Sequence, residues 1–166
     1  MAITIEALGP GASPQDIEIA RRLLLEYGRF VTEAEGAAHF CFGKLQDEVD
    51  GLPDSYSKQG GDMLMAYSDG EAAGCVTYRG IANISRGCEM KRLWVRPAFR
   101  GTGLGERLVI AAIERAAARF NAMYLDTFPA TMKSAFEMYL RLGFTPCDPY
   151  NDSTFEGIVF MRRPLP

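Results

Sequence analysis

The spacing of apolar residues along the chain predicts an alternation of short strands and helices. Residues 3–7 alternate between apolar and polar as a strand does, whereas Ile17, Ala20, Leu24 and Tyr27 recur at helical spacing. The same patterns predict helices at 40–49, 104–121 and 131–142 and strands at 63–67, 73–79, 90–95, 123–127 and 155–162, with a short extra strand at Phe144. This order predicts one α/β domain with a mixed central β-sheet flanked by helices.

Turn and cap residues bound these elements. Ser13 and Pro14 are typical of the first positions of a helix, which we expect to run from 14 to 30. The pair Asp69-Gly70 predicts a hairpin between two strands, and Gly143 predicts the end of the last helix. The turn-rich residues 52–62 predict a mobile loop.

Composition narrows the class of protein. The 166 residues, at 18.3 kDa, predict a single domain spanning 1–166, and a net charge of -3 argues against a nucleic-acid partner. The N-terminus resembles no signal peptide and no run of 18 apolar residues occurs, so we expect a cytoplasmic protein without a membrane partner. The four cysteines are scattered, which does not predict a metal site. His39, the only histidine, stands beside Phe40, where a packed turn is expected rather than a base.

The most informative stretch is 88–105, which reads CEMKRLWVRPAFRGTGLG. It predicts a strand, a glycine-rich turn and the start of a helix. The first N–H groups of a helix have no intrahelical partner, and glycines let an anion approach the backbone closely. The stretch therefore predicts a phosphate site. An ordinary glycine-rich connection without a ligand is the alternative.

The spacing of the glycines distinguishes between families of phosphate site. A Walker loop would need Gly-Lys-Ser/Thr, and a dinucleotide turn would need a third glycine where Glu106 stands. The stretch instead matches R-x-x-G-x-G through Arg100, Gly103 and Gly105. This pattern closely resembles the pyrophosphate-binding motif of the GNAT superfamily of acetyl-CoA-dependent N-acetyltransferases.

The resemblance implies a GNAT-like fold and a set of cofactor contacts. In that fold the pantetheine arm lies beside the central strand and the pyrophosphate lies on the glycine turn, with Arg96 and Arg100 as further phosphate ligands. A solvated turn is the alternative for both arginines. The cofactor-binding residues it implies are Leu93, Trp94, Val95, Arg100, Gly101, Thr102, Gly103, Leu104, Gly105 and Glu106.

A second resemblance lies in residues 135–144, which match the family pattern A-x-x-x-Y-x-x-x-G-F. It implies that Tyr139 protonates the leaving thiolate, for which a phenol near pKa 10 is suited. A core position against Phe136 and Phe144 is the alternative. Relatives often place Asn where this chain has Met132, so the cofactor arm is contacted less there or is contacted by Ser134.

A general base is required because a lysine-like amine is protonated at pH 7, and releasing the free amine costs about 4.6 kcal/mol. Glu89 occupies the central-strand position where several family members carry a basic glutamate, and Asp126 is the reserve candidate. The alternative for Glu89 is an ion pair with Lys91 on the same strand.

These residues predict an enzyme that transfers an acetyl group from acetyl-CoA to a primary amine by direct attack. An acyl-CoA-binding sensor without turnover is the alternative from another class, and a nucleotide-binding domain is disfavoured by the glycine spacing. The acceptor is not encoded in any motif, but its surface is expected to be built from the N-terminal helices, the loop at 52–62 and the tail around Tyr150, Asn151 and Asp152. A homodimer and a monomer are both compatible with the sequence.

Overall fold

The computed structural model describes residues 1–35 and 42–166, and these form seven strands and four helices. In chain order the elements are β1 (Ile3–Ala7), α1 (Pro14–Glu35), α2 (Phe42–Asp50), β2 (Asp62–Ser68), β3 (Glu71–Gly80), β4 (Gly87–Val95), α3 (Leu104–Ala116), β5 (Ala122–Thr127), α4 (Lys133–Arg141), β6 (Thr145–Cys147) and β7 (Val159–Pro164). The predicted α/β class is confirmed. His39, and residues 40 and 41 of the predicted second helix, lie outside the described residues.

The strands form one mixed sheet in the order β1-β2-β3-β4-β5-β7-β6. Neighbours pair antiparallel except for β4 and β5, which are parallel. This parallel pair is connected through α3, because parallel strands need a crossover. Asp69 and Gly70 both have positive φ angles, +49° and +83°, so the predicted hairpin between β2 and β3 is confirmed.

Apolar side chains fill both faces of the sheet. On one face α3 and α4 cover a core that includes Leu64, Leu108, Met123 and Phe144. On the other face α1 and α2 cover a second core around Leu24 and Leu45, together with side chains of β2 and β3. The central strand β4 contributes to both cores, and its position between them places the site.

A β-bulge reverses which positions of β4 face each core. Cys75 of β3 pairs with Trp94, whereas Thr77 pairs with Lys91, so two steps along β3 match three along β4. The extra residue is accommodated at Arg92, whose φ is +60°. Before the bulge Met90 faces the α3 core, and after it Trp94 faces the α1 core.

Three element predictions are corrected by the structure. The helix predicted to reach residue 121 ends at Ala116, because the chain must turn to bring Asn121 to the margin of the sheet, where its backbone bonds to Arg86 and Leu165 just outside the strands. The last strand begins at Val159 rather than at 155, since Gly157 has a φ of +83° and turns the chain. The first helix, predicted to end at 30, continues to Glu35. The predicted mobile loop at 52–62 contains the buried Tyr56 and a 3₁₀ turn at Ser57–Gln59, and its mobility stays a prediction.

Candidate active site

The glycine turn forms a row of free backbone donors. Gly101 and Gly103 have φ angles of +76° and +79°, a conformation that other residues rarely adopt, so these positions need glycine. Within the described part of the chain, no group accepts a hydrogen bond from the six N–H groups of Gly101 through Glu106. They open the N-terminus of α3, where the helix dipole is positive. The turn therefore has the chemistry of an anion site.

A cleft opens beside this turn because β4 and β5 separate. The two strands pair only from Gly87 to Glu89 on β4 and from Ala122 to Tyr124 on β5, whereas β5 keeps its pairing with β7 along its whole length. Beyond that point, no strand among residues 1–35 and 42–166 pairs with β4 on the β5 side. The resulting cleft has a volume of about 760 Å³ and runs from the glycine turn to α4. That size suits a long ligand.

Most of the predicted cofactor residues line this cleft. Among the residues assigned to the cofactor by resemblance, those on the cleft wall are Leu93, Trp94, Val95, Arg100, Gly101, Gly103, Leu104, Gly105 and Glu106. Thr102 is in the turn, but its hydroxyl donates to the Phe99 carbonyl at 2.7 Å. Met132 and Ser134 also line the cleft, so α4 can contact the same ligand from the opposite wall.

The two arginines of the turn have partners within the protein. Arg96 donates to both carboxylate oxygens of Glu26 at 2.9 Å and to the Ala72 carbonyl, and so joins α1 to the sheet. Burial alone would raise the pKa of Glu26, but hydrogen bonds from Arg96 and Trp94 lower it below its ordinary value. The prediction that Arg96 binds phosphate gains no support from this geometry.

Arg100 lies over aromatic rings rather than over the turn. Its guanidinium carbon is 5.0 Å from the centre of the Trp94 ring and 5.3 Å from that of Phe30, and its Nε donates to the Val95 carbonyl at 3.0 Å. Arg100 still lines the cleft, so its predicted contact with phosphate requires only that the side chain turn.

Tyr139 stands on α4 at the cleft wall and is 7% exposed. Its ring meets that of Phe144 edge-on at 5.8 Å, so it packs in the core and faces the cleft at once. Burial raises the pKa of Tyr139, and Tyr27 and Asp126 raise it further, so the hydroxyl stays protonated at neutral pH. The chain therefore holds a proton donor inside the cleft.

The two candidate bases differ in their access to the cleft. Asp126, at the end of β5, lines the cleft, whereas Glu89 is not on its wall. Arg79 donates to Glu89 at 3.1 Å, and Lys91 lies 3.6 Å from Asp126. The expected alternative, an ion pair between Glu89 and Lys91 along one strand, is thus wrong: each pairs across strands. Both acids face the α1 side of the sheet.

Tyr150, which the sequence places in the expected acceptor-facing tail without a role of its own, lies beside both acids. Its ring packs against Tyr124 and Phe160 at 5.3 and 5.6 Å. Burial raises the pKa of Tyr150, and the charges of Asp126 and Glu89 raise it further, yet no described residue forms a hydrogen bond of normal geometry with its hydroxyl. No motif marks Tyr150. The only signal is an aromatic residue in an otherwise polar segment after β6.

A buried charged network that the sequence did not predict holds the bulge of β4. Arg92 donates twice to the Glu48 carboxylate, at 3.1 and 2.8 Å, and Tyr56 donates to the same group at 2.7 Å. Burial alone would raise the pKa of Glu48, but Arg92 and Tyr56 lower it below its ordinary value. Glu48 therefore connects α2 to β4, the strand that carries Leu93 to Val95.

The described residues contain neither a cluster of potential metal ligands nor a membrane-spanning helix. Across 1–35 and 42–166, no three potential ligands are grouped to hold a metal ion. Within the same ranges, no helix is both long and apolar enough to span a membrane.

A strand opening, a turn of free N–H donors and a protonated tyrosine in one cleft suit a ligand with phosphate at one end and a thioester at the other. The model of the Acetyltransferase (GNAT) family matches residues 26–144, and the chain belongs to this family. An uncharacterized N-acetyltransferase of Schizosaccharomyces pombe is 33% identical over 151 residues, which cover 90% of this chain and 88% of that protein.

Solved structures agree on the fold. A GNAT-family acetyltransferase of Staphylococcus aureus superposes with a TM-score of 0.75 at 18% identity, over 99% of this chain and 100% of that one. The PaiA N-acetyltransferase of Thermoplasma acidophilum, in complex with coenzyme A, superposes with a TM-score of 0.68 at 17% identity, over 99% of each chain. The predicted GNAT-like fold and the prediction of an N-acetyltransferase are confirmed, and the family's reaction is acyl transfer from an acyl-CoA to an amine.

Proposed function

We propose that this enzyme transfers an acetyl group from acetyl-CoA to a primary amine by direct attack of the amine on the thioester. The observation that carries the proposal is the presence of three groups in one cleft: the donor row at Gly101 to Glu106, the Tyr139 hydroxyl and the Asp126 carboxylate. They supply an anchor for the pyrophosphate, a proton for the leaving sulfur and an acceptor for the amine proton.

The cofactor assignment follows the shape of the cleft. The pyrophosphate is expected on the glycine turn, where a Cβ built on Gly101 or Gly103 would meet no atom within 4 Å, so the space over the turn is open. The pantetheine arm then lies along the β5-facing edge of β4, from Leu93 to Val95, where strand separation leaves the main chain without a partner strand among the described residues. The Val95 carbonyl on this edge already accepts from Arg100 Nε. The thioester reaches the part of the cleft shared by Tyr139 and Asp126.

The reaction moves two protons. The amine nitrogen forms a bond to the acetyl carbon as the carbon–sulfur bond breaks, and the sulfur leaves with the bonding electrons. Tyr139 donates its proton to this sulfur. The raised pKa of Tyr139 keeps the proton in place until charge develops on the sulfur, and the same burial disfavours a sulfur that leaves as an anion.

The amine proton needs a carboxylate within reach. The sequence favours Glu89, but Asp126 lines the cleft and Glu89 does not. We therefore assign Asp126 as the group that accepts the amine proton directly. Glu89, held by Arg79, lies behind the wall near Tyr150, and it would act through that hydroxyl or water. Both assignments are proposals, as are a homodimer and the cytoplasmic location.

Turnover separates the enzyme from a cofactor-binding sensor. The assay follows thiol release from acetyl-CoA together with mass spectrometry of the acetylated product, over a panel of primary amines. We expect product with at least one amine, and strongly reduced product with Tyr139→Phe. Binding of acetyl-CoA with no acetylated product from any amine would support the sensor.

A further inference from the structure

A polar pocket lies at the acceptor side of the cleft, between β4 and β5. Lys91 and Asp126 both line the cleft and face each other, and their side chains are 27% and 20% exposed. Asn151, from the segment between β6 and β7, donates to Asp126 Oδ2 at 3.0 Å. We call Lys91, Asp126 and Asn151 the acceptor pocket.

The ion pair of this pocket is open rather than closed. Lys91 Nζ is 3.6 Å from Asp126 Oδ2, well beyond the roughly 2.7–2.9 Å of a charge-assisted hydrogen bond. Asn151 donates to Asp126 Oδ2. Within the described residues, no donor forms a hydrogen bond with Asp126 Oδ1, and no acceptor forms one with Lys91 Nζ. A cation and an anion therefore both present unused bonding capacity to the cleft.

The charges around the pocket leave an excess of positive charge. The charged groups nearest the pocket on this face are Arg79 on β3, Glu89 and Lys91 on β4, Asp126 on β5 and Arg162 on β7. Arg92 of β4 and Glu48 of α2 lie on the same face and pair with each other, so together they add no net charge. Arg79 pairs with Glu89, and Lys91 faces Asp126. Arg162 donates to the Tyr124 hydroxyl at 3.2 Å, and within the described ranges it has no carboxylate within 4.0 Å. With the Arg92–Glu48 pair included, four cations stand against three anions, and this excess of one positive charge disfavours an acceptor that carries only positive charge.

We propose that the acceptor is a small α-amino carboxylate, with its carboxylate on Lys91 and its amine on Asp126. The two protein charges lie 3.6 Å apart, so the ligand's opposite charges must also be close, as on one carbon atom and its neighbour. In this pose the carboxylate neutralises the excess positive charge, and Asp126 holds the ammonium. Asp126 accepts the first proton and passes it to water, which frees the amine, and then accepts the second proton that the nitrogen loses after attack. The proposal rests on the acetyl-transfer function proposed above and names the substrate class of that same site.

Matched acceptors test the class directly. Each free α-amino acid is compared with its α-carboxamide and with the amine that lacks the carboxylate, at the same side chain and saturating acetyl-CoA. The carboxamide also represents the N-terminus of a peptide, and a diamine series represents polyamines. Because a hydrogen bond to a charged group contributes about 10- to 100-fold in binding, we expect kcat/KM to favour the carboxylate by about that factor.

Lys91→Met tests the residue. The measured quantity is the ratio of kcat/KM for the amino acid to that for its carboxamide, within one variant, so that general damage cancels. We expect the ratio to fall to near 1 in Lys91→Met and to recover in large part in Lys91→Arg. Lys58→Met, which removes an equal charge from an exposed site in another loop, should keep the wild-type ratio. Calorimetry of the amino acid with the CoA complex gives the same comparison without turnover.

The outcomes separate this proposal from the function on which it rests. Equal or better activity with carboxamides or diamines would overturn the substrate class while leaving acetyl transfer intact. An unchanged ratio in Lys91→Met would overturn the role of Lys91. No acetyl transfer to any amine, with acetyl-CoA bound, would overturn the proposed function itself.

Discussion

The glycine turn gives the sharpest test of where the cofactor binds. We change Gly103 to Val and compare it with Gly70→Val in the hairpin between β2 and β3. The two glycines have φ angles of +79° and +83°, and at both sites a Cβ would meet nothing within 4 Å. The two substitutions therefore carry the same backbone strain, and neither clashes with the protein.

The expected magnitudes separate folding from binding. A left-handed conformation costs a non-glycine residue about 1–2 kcal/mol, so both variants should lose about that much stability, or roughly 2–8 °C in melting temperature. Only Gly103→Val places a branched side chain over the free donors of the turn. If the phosphates then lose two charge-assisted hydrogen bonds, affinity for CoA falls by about 3–6 kcal/mol, which is more than 100-fold.

Calorimetry with CoA and with pantetheine, which lacks the phosphates, completes the design. We expect Gly70→Val to bind CoA like the wild type and Gly103→Val to bind it at least 100-fold more weakly, an estimate from the lost hydrogen bonds. Affinity for pantetheine should be similar in both variants. If Gly103→Val binds CoA as tightly as Gly70→Val does, the pyrophosphate does not lie on this turn and the reasoning fails.

Three further results are expected. Tyr139→Phe should lower kcat by about 10²-fold or more with little change in the Kd of CoA, and an unchanged kcat would give Tyr139 a packing role alone. In the wild-type enzyme, ionisation of Tyr139 should cause no loss of activity below pH 10, because the pKa of Tyr139 is raised above that value. We expect the pH–rate profiles of Asp126→Asn and Glu89→Gln to differ. The variant that lacks the base should have a rate about 10²–10⁴-fold lower than the wild type at neutral pH, and the difference should shrink as rising pH frees the amine. If both profiles overlay that of the wild type, water is the proton acceptor. Glu48→Gln should cost about 3–5 kcal/mol because Arg92 stays buried without its carboxylate. Since the pKa of Glu48 is lowered on folding, its stabilisation is complete above its unfolded pKa and is lost as the pH falls through the folded one, so urea unfolding should show a weaker acid dependence in the variant.

Local signals predicted most of the fold. The pair Asp69-Gly70, the alternation of residues 3–7 and the Pro14 helix start each depend on neighbours in sequence, and the structure places them as predicted. The errors arose where a distant partner decides the outcome. The helix after the glycine turn ends early because the sheet engages Asn121, and no property of the alanine-rich helix itself indicates that.

The same distinction between local and distant determinants applies to the candidate site. The glycines of the turn were readable because positive φ angles and free donors are requirements of a few consecutive residues. The acceptor pocket was not readable, since it joins Lys91 to Asp126 and Asn151 from three separate segments. The bulge at Arg92 could not be predicted for a related reason. The buried charge of Arg92 is stabilised by Glu48, which lies 44 residues away in the sequence.

The position of Arg100 over Trp94 gives the protein an intrinsic optical reporter. Trp94 is the only tryptophan of the chain, and it lies on the cleft wall with a guanidinium 5.0 Å above its ring. A cofactor whose phosphates attract Arg100 away from the ring would change the field that the indole experiences. Its emission would then follow cofactor arrival in real time, without a label, and would do so separately from the chemistry at Tyr139.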